Sequence, residues 1–201
     1  NTSSLSVTQM AEGCKNPERI VGLHFFNPVH RMPLVEIIRA KQTSDETIER
    51  TVQFSRKLGK TVILVQDRPG FLVNRLLLPY LNEAAYLLEE GMSPEVIDAV
   101  AVRFGMPMGP VELVDQVGID VGYKVAHILH EAFGDRMKVA SILEEVKQKG
   151  LLGKKSGKGF YLYSGKKDKS VNPEAQPSKV SSRHVLDENA LKRIIYIMIN
   201  E

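Results

Sequence analysis

Four side chains in this sequence could move a proton or hold an oxygen that gains charge: His24, Glu36, Asn74 and Ser3. His24 lies in the mostly apolar stretch Ile20 to Phe26, and Glu36 in the Val- and Ile-rich stretch Leu34 to Ala40. Both stretches read as strands. If they pair antiparallel about a turn centred on His30, residues 24 and 36 fall opposite each other. Opposite residues share a face, with Cβ atoms about 5 Å apart. An imidazole facing a carboxylate there is an acid–base pair. The carboxylate fixes the tautomer and favours the imidazolium, so the other ring nitrogen can accept a proton. The same spacing also suits a structural hydrogen bond, and spacing alone favours that plainer alternative. Asn74, after a Pro-Gly turn, could donate its amide to a substrate oxygen or cap the helix that starts there. Ser3 could meet a ligand or begin the next helix.

The elements that must position these groups are visible in the pattern. Ser6 to Gly13 predicts a short helix ended by glycine. Ser44 to Leu58 has a capping serine, acids in its first turn and Gly59 as a stop, the signature of a helix. Thr61 to Gln66 is a third, β-branched strand. After Asp67 the character changes. Val73, Leu77, Leu81, Ala84 and Leu88 form a helical stripe over Phe71 to Glu90, with Pro79 predicting a kink. Ser93-Pro94-Glu95 opens another helix that Gly105 closes. Further helical stretches run near Val111 to Phe133 and Val139 to Lys149. The expected fold is α/β followed by all-α, divided as 1–67, 68–165 and 166–201. In the last part, polar Lys166 to Arg183 reads as a linker. A second helical unit should begin near Asp187, because Arg193 to Glu201 repeats the pattern of Arg75 to Glu83.

Composition narrows the function classes. The net charge of +3 is too small to argue for nucleic acid, and the lysines cluster between Lys147 and Lys169, where a solvated loop accounts for them. One cysteine, Cys14, excludes an internal disulfide and has no zinc-ligand spacing around it. No apolar run reaches the roughly 18 residues of a membrane helix. A cytoplasmic or organelle-matrix protein is expected. Gly153 to Gly159 superficially suggests a phosphate loop, but the Walker spacing fails. His30, His127, His130 and His184 have no carboxylate arrangement that distinguishes them, and no metal site is expected. The chain opens on Asn1-Thr2-Ser3-Ser4 and stops inside a helical pattern, which suggests a piece of something longer.

Asn1-Thr-Ser-Ser, His24-Phe-Phe-Asn-Pro with Glu36 following, and Pro69-Gly-Phe-Leu-Val-Asn-Arg75 occur in an order that resembles the 3-hydroxyacyl-CoA dehydrogenase family. The similarity continues through Gly109-Pro-Val-Glu-Leu-Val-Asp115 to Gly157-Lys-Gly-Phe-Tyr161, nearly the whole chain. The second helical copy is most like the dehydrogenase part of the multifunctional fatty-acid oxidation α subunit. The resemblance implies the C-terminal part of a Rossmann-type NAD-binding domain followed by the family's helical domain. It implies His24 as catalytic base, Glu36 as its partner, and Ser3 and Asn74 as ligands of the reacting oxygen. NAD is the implied cofactor, a (3S)-3-hydroxyacyl-CoA the implied substrate, and β-oxidation the implied setting. A thiolase β subunit and helical-domain pairing, as homodimer or tandem copy, are the implied partners, and a hydratase domain could accompany the parent. Lys192 aligns with Asn74, so the second copy should be structural.

One expected feature is missing. A dinucleotide fold carries G-x-G-x-x-G after its first strand and an acid about 20 residues later, and neither occurs here. By the family's order both belong upstream of Asn1, in which case the cofactor-binding residues cannot be named and these residues alone should turn over little. An inert helical assembly module is the alternative for the isolated chain. A mitochondrial or peroxisomal matrix is the location if the source is eukaryotic.

Overall fold

The computed structural model describes residues 5–165, 168–177 and 187–200. Ser3, His184 and Glu201 lie outside them. The chain forms two compact units, Asn1–Arg75 and Leu76–Glu201.

The first unit is α/β. Its elements are α1 (Val7–Glu12), β1 (Gly22–Phe25), β2 (Leu34–Arg39), α2 (Asp45–Lys57) and β3 (Thr61–Gln66). The three strands form one sheet in the order β1-β2-β3, with β1 antiparallel and β3 parallel to β2. Four consecutive residues of central β2, Val35 to Ile38, are buried, because both faces of that strand are covered. That explains an apolar run interrupted by a single acid. In α2, the Ser44 hydroxyl accepts the Thr47 N–H at 3.2 Å. Asp45 and Glu46 open the helix and Arg56 and Lys57 close it, matching its dipole at both ends. The unit's apolar centre gathers Val7, Ile38, Ala40 and Phe71.

The second unit is mainly helical. The chain enters it along α3 (Val73–Glu89) and continues through α4 (Pro94–Phe104), α5 (Pro110–Val117), α6 (Ile119–Phe133) and α7 (Ser141–Gln148). A small hairpin, β4 (Tyr161–Tyr163) with β5 (Lys169–Val171), follows, and then α8 (Asp187–Ile199). One core joins Tyr80 and Leu87 of α3, Ile97 of α4, Ile142 of α7, Phe160, and Ala190 and Ile194 of α8.

Two expectations need correction. The stretch Val111 to Phe133 is not one helix. Gly118 adopts φ 97°, a conformation that interrupts a right-handed helix and is open mainly to glycine. Residues 168–177 are not plain linker. They pair as β5, bury Asn172 and Ala175, and bring the Asn172 amide within 2.8 Å of the Gly159 carbonyl, to which it donates. A three-residue strand is too short to show alternation, so its pairing was invisible to pattern.

The glycine-bearing motifs of the helical unit have a packing explanation. Asp115 is fully buried and accepts the N–H groups of Phe160 and Tyr161 at 3.0 and 2.9 Å and the Tyr163 hydroxyl at 3.0 Å. Asp98 accepts the Val111 N–H at 2.8 Å and the Tyr161 hydroxyl at 2.7 Å. A Cβ at Gly159 would stand 2.0 Å from Asp115, and one at Gly109 2.2 Å from Asp98. Glycine is required there because two buried carboxylates occupy the space a side chain would need. Burial pushes Asp115 up to about 6 despite its three donors, with the Asp98 charge adding to the rise. Burial also raises Asp98, against the hydrogen bonds it accepts.

Candidate active site

β1 and β2 pair in the register His24↔Glu36, the pairing expected from a turn centred on His30. Glu36 Oε2 lies 2.7 Å from His24 Nδ1. His24 is 4% exposed and Glu36 0%. A carboxylate oxygen can only accept, so Nδ1 carries the hydrogen and Nε2 is the basic ring nitrogen in the neutral imidazole. Lys60 supports the loop that joins the two strands, donating from Nζ to the carbonyls of Val29 and Met32 at 2.6 and 2.8 Å.

The other oxygen of the same carboxylate has its own partners. Glu36 Oε1 accepts the main-chain N–H groups of Leu72 and Val73, each at 3.0 Å. These belong to the amino end of α3, where N–H groups lack intrahelical acceptors and the helix dipole is positive. Three donors therefore converge on one buried acid, which offsets much of the cost of removing it from water. Sequence pattern missed this. The available signal was a Pro-Gly turn leading into a helix with no Ser, Thr, Asp or Asn just before Val73, so the first N–H groups needed an acceptor from elsewhere.

Around the imidazole stand two aromatic rings, Phe26 with its centroid 4.7 Å away and Phe71 at 5.7 Å, tilted by 56° and 59°. Phe71 is buried and has φ 49°, a left-handed conformation that costs a bulky residue on the order of 1–3 kcal/mol. Asn74 is half-buried as the second residue of α3, directly after Val73. The fold thus brings His24, Glu36 and the start of α3 together within the first unit.

Asp67, at the end of β3, ties down α1. It accepts the Ser6 hydroxyl at 2.8 Å and the N–H groups of Val7 and Thr8 at 3.1 and 2.7 Å. Burial opposes its charge, but the hydrogen bonds from Thr8, Ser6 and Val7 prevail and hold its carboxyl below the usual range.

A buried imidazole backed by a carboxylate fits the reacting end of a nicotinamide-dependent oxidation, where a base must take a hydroxyl proton. The glycine-rich turn that would cradle dinucleotide phosphates is not among these 201 residues, so no residue here is assigned to the phosphates. Among the described residues, no group of three or more His, Cys, Asp or Glu is placed to hold a metal ion. No helix there is long and apolar enough to cross a membrane.

Residues 1–68 match the model of the 3-hydroxyacyl-CoA dehydrogenase NAD-binding domain, and residues 70–163 that of the 3-hydroxyacyl-CoA dehydrogenase C-terminal domain. The chain is 46% identical over 204 residues to the fatty acid oxidation complex subunit alpha of Shewanella halifaxensis, covering all of this chain and 29% of that protein. Among solved structures, (S)-3-hydroxybutyryl-CoA dehydrogenase from Ralstonia eutropha is 43% identical with a TM-score of 0.79, over 82% of this chain and 59% of that one. The 3-hydroxybutyryl-CoA dehydrogenase of Escherichia coli K12 is 40% identical with a TM-score of 0.78, over 91% and 41%. The chain thus spans under a third of the Shewanella protein's length and less than two thirds of either structure. With a Rossmann-like NAD-binding part followed by the helical domain in the same order as its relatives, the chain belongs to the 3-hydroxyacyl-CoA dehydrogenase family.

Proposed function

We propose that this chain carries the acid–base machinery of an NAD-dependent dehydrogenase that oxidises (3S)-3-hydroxyacyl-CoA to 3-oxoacyl-CoA. The observation that carries the proposal is the 2.7 Å contact between His24 Nδ1 and a Glu36 carboxylate that is wholly buried. Structural ion pairs are common. A buried histidine locked in one tautomer by an acid itself held by two amides has the preorganisation that general-base chemistry needs.

In this mechanism His24 Nε2 removes the proton from the substrate's 3-hydroxyl as C3 is oxidised. Glu36 stabilises the imidazolium that results and prevents the ring from turning. Asn74 donates its amide to the same substrate oxygen, and Ser3 is assigned the same task from the family motif alone. When bound, NAD supplies the two-electron acceptor for C3. Hydrogen-bond donors aimed at the reacting oxygen act together with the base to lower the barrier.

The chain divides functionally as 1–67, the later part of the NAD-binding domain, and 68–165, the helical domain, with residues from 166 leading into a second helical copy. The Shewanella relative is named as a subunit of a fatty acid oxidation complex. On that ground we assign this protein to β-oxidation in the cytoplasm, with a thiolase subunit as partner and the helical copies as the pairing surface.

The test is NADH formation from (3S)-3-hydroxybutyryl-CoA by the complete natural protein and its His24→Ala variant. Turnover should fall about 10²–10⁴-fold in the variant. A variant as active as the parent rules out His24 as the base, and a folded parent inactive on 3-hydroxyacyl-CoA of any chain length rules out the activity.

A further inference from the structure

Phe71 is the described non-glycine residue with positive φ, at 49°. It follows Gly70, whose φ is 75°, so two successive residues turn the chain left-handed between β3 and α3. Such a conformation persists only where its surroundings compel it, and it collects at sites where geometry is functional. Here the surroundings are identifiable. The ring is buried among Val7, Ile38 and Ala40 and stands against the His24 imidazole. The Phe71 N–H donates to the Arg68 carbonyl at 2.9 Å, closing the turn. The next two N–H groups in the chain, those of Leu72 and Val73, are the pair that Glu36 accepts. An extended or right-handed residue at position 71 would send those two amides in another direction.

We propose that Phe71 is a positioning residue for the acid–base pair: its left-handed turn aims two amides at Glu36 while its ring backs the imidazole of His24. The proposal rests on the assignment of His24 and Glu36 as that pair. Phe71 touches neither substrate nor proton. It acts by holding both partners at once, one through the backbone that follows it and one through its ring. Its effect therefore belongs to turnover and to the protonation of the pair, and substrate affinity should be nearly indifferent to it. A reacting group misplaced by a fraction of an ångström loses rate without losing ligand.

The experiment uses the complete natural protein with Phe71→Leu, which keeps an apolar side chain in the core but removes the ring. Turnover should drop about 10- to 100-fold, with KM for the acyl-CoA within about threefold. The acid limb of the kcat/KM–pH profile, which reports the free enzyme's base, should move. In a Glu36→Gln background the same substitution should cost less than about twofold, because residues acting as one unit are non-additive. Equal losses in both backgrounds, with an unmoved pH profile, would make Phe71 a packing residue only and overturn the proposal. Val73→Pro provides the independent arm if Phe71→Leu does not fold. Proline is well tolerated at the first helical position and deletes one of the two amides. It too should lower turnover only while Glu36 is present, and wild-type turnover in Val73→Pro overturns the backbone half of the proposal. An unimpaired Glu36→Gln enzyme defeats the assignment of the pair itself. An impaired one beside a Phe71→Leu enzyme of native turnover defeats this proposal alone.

Discussion

Glu36 accepts the main-chain N–H of Val73 at 3.0 Å, across 37 positions of sequence. The acid that orients His24 is thus anchored to the first turn of the helix that also carries Asn74. His24, Glu36 and Asn74, the groups proposed above as base, orienting acid and amide donor, meet where a central strand reaches a helix end, the kind of support that keeps a reacting geometry from loosening.

Glu36→Gln should preserve the fold and lower turnover of the complete protein about 10²-fold or more. The glutamine oxygen can still accept from Leu72 and Val73, so secondary structure should survive. The NH2 group then faces His24 Nδ1, donor against donor, and favours the wrong tautomer. Steady-state kinetics beside a circular dichroism spectrum decide the matter. Native turnover removes Glu36 from the mechanism.

The Asp115 cluster should make stability depend on pH in a direction opposite to ordinary acid denaturation. Its folded value of about 6 lies above the usual carboxylate value of 3.8. Between about 4 and about 6 the folded protein keeps a proton that the unfolded chain has released. The stability from that proton is present at the acid end of the window and is lost as pH rises through it. Asp67, held below its usual value, acts the other way, but only at lower pH. Urea midpoints at pH 5 and pH 7 should therefore differ less in Asp115→Asn than in the parent, the parent's being relatively higher at the acid value. Identical differences in the two proteins would deny Asp115 this role.

Arg193→Met should loosen α8. Arg193 bonds Glu83 of α3 through Nε at 2.5 Å and Glu90 through Nη1 at 2.5 Å. Those carboxylates are 16% and 13% exposed. Removing the cation leaves Glu83 in α3 and Glu90 just past its end, both largely buried, without their shared counter-charge, at a cost of about 2 kcal/mol. The denaturant midpoint of the helical unit should fall, while addition of salt should narrow the gap between variant and parent. A variant with the parent's midpoint at low salt means that apolar packing of α8, through Ala190, Ile194 and their neighbours, holds the helix without the ion pairs.

Much of this architecture is legible in the residues themselves. The caps of α2 and α4, the stripe of α3 and the apolar run around Glu36 are local features, in which side chains interact with neighbours a few positions away. The opposition of His24 and Glu36 belongs here too, since a hairpin's register follows from where its turn lies. The family's ordered motifs are likewise a property of sequence. The break at Gly118 and the pairing of β5 escape pattern because they rest on a single glycine and on three-residue strands. The left-handed backbone of Phe71 and the pair of amide bonds on Glu36 are different in kind, since their partners lie far along the chain. A buried acid and an unmatched helix end look unrelated in sequence, and only folding brings them together, because each supplies the hydrogen-bonding group that the other would otherwise lack away from water.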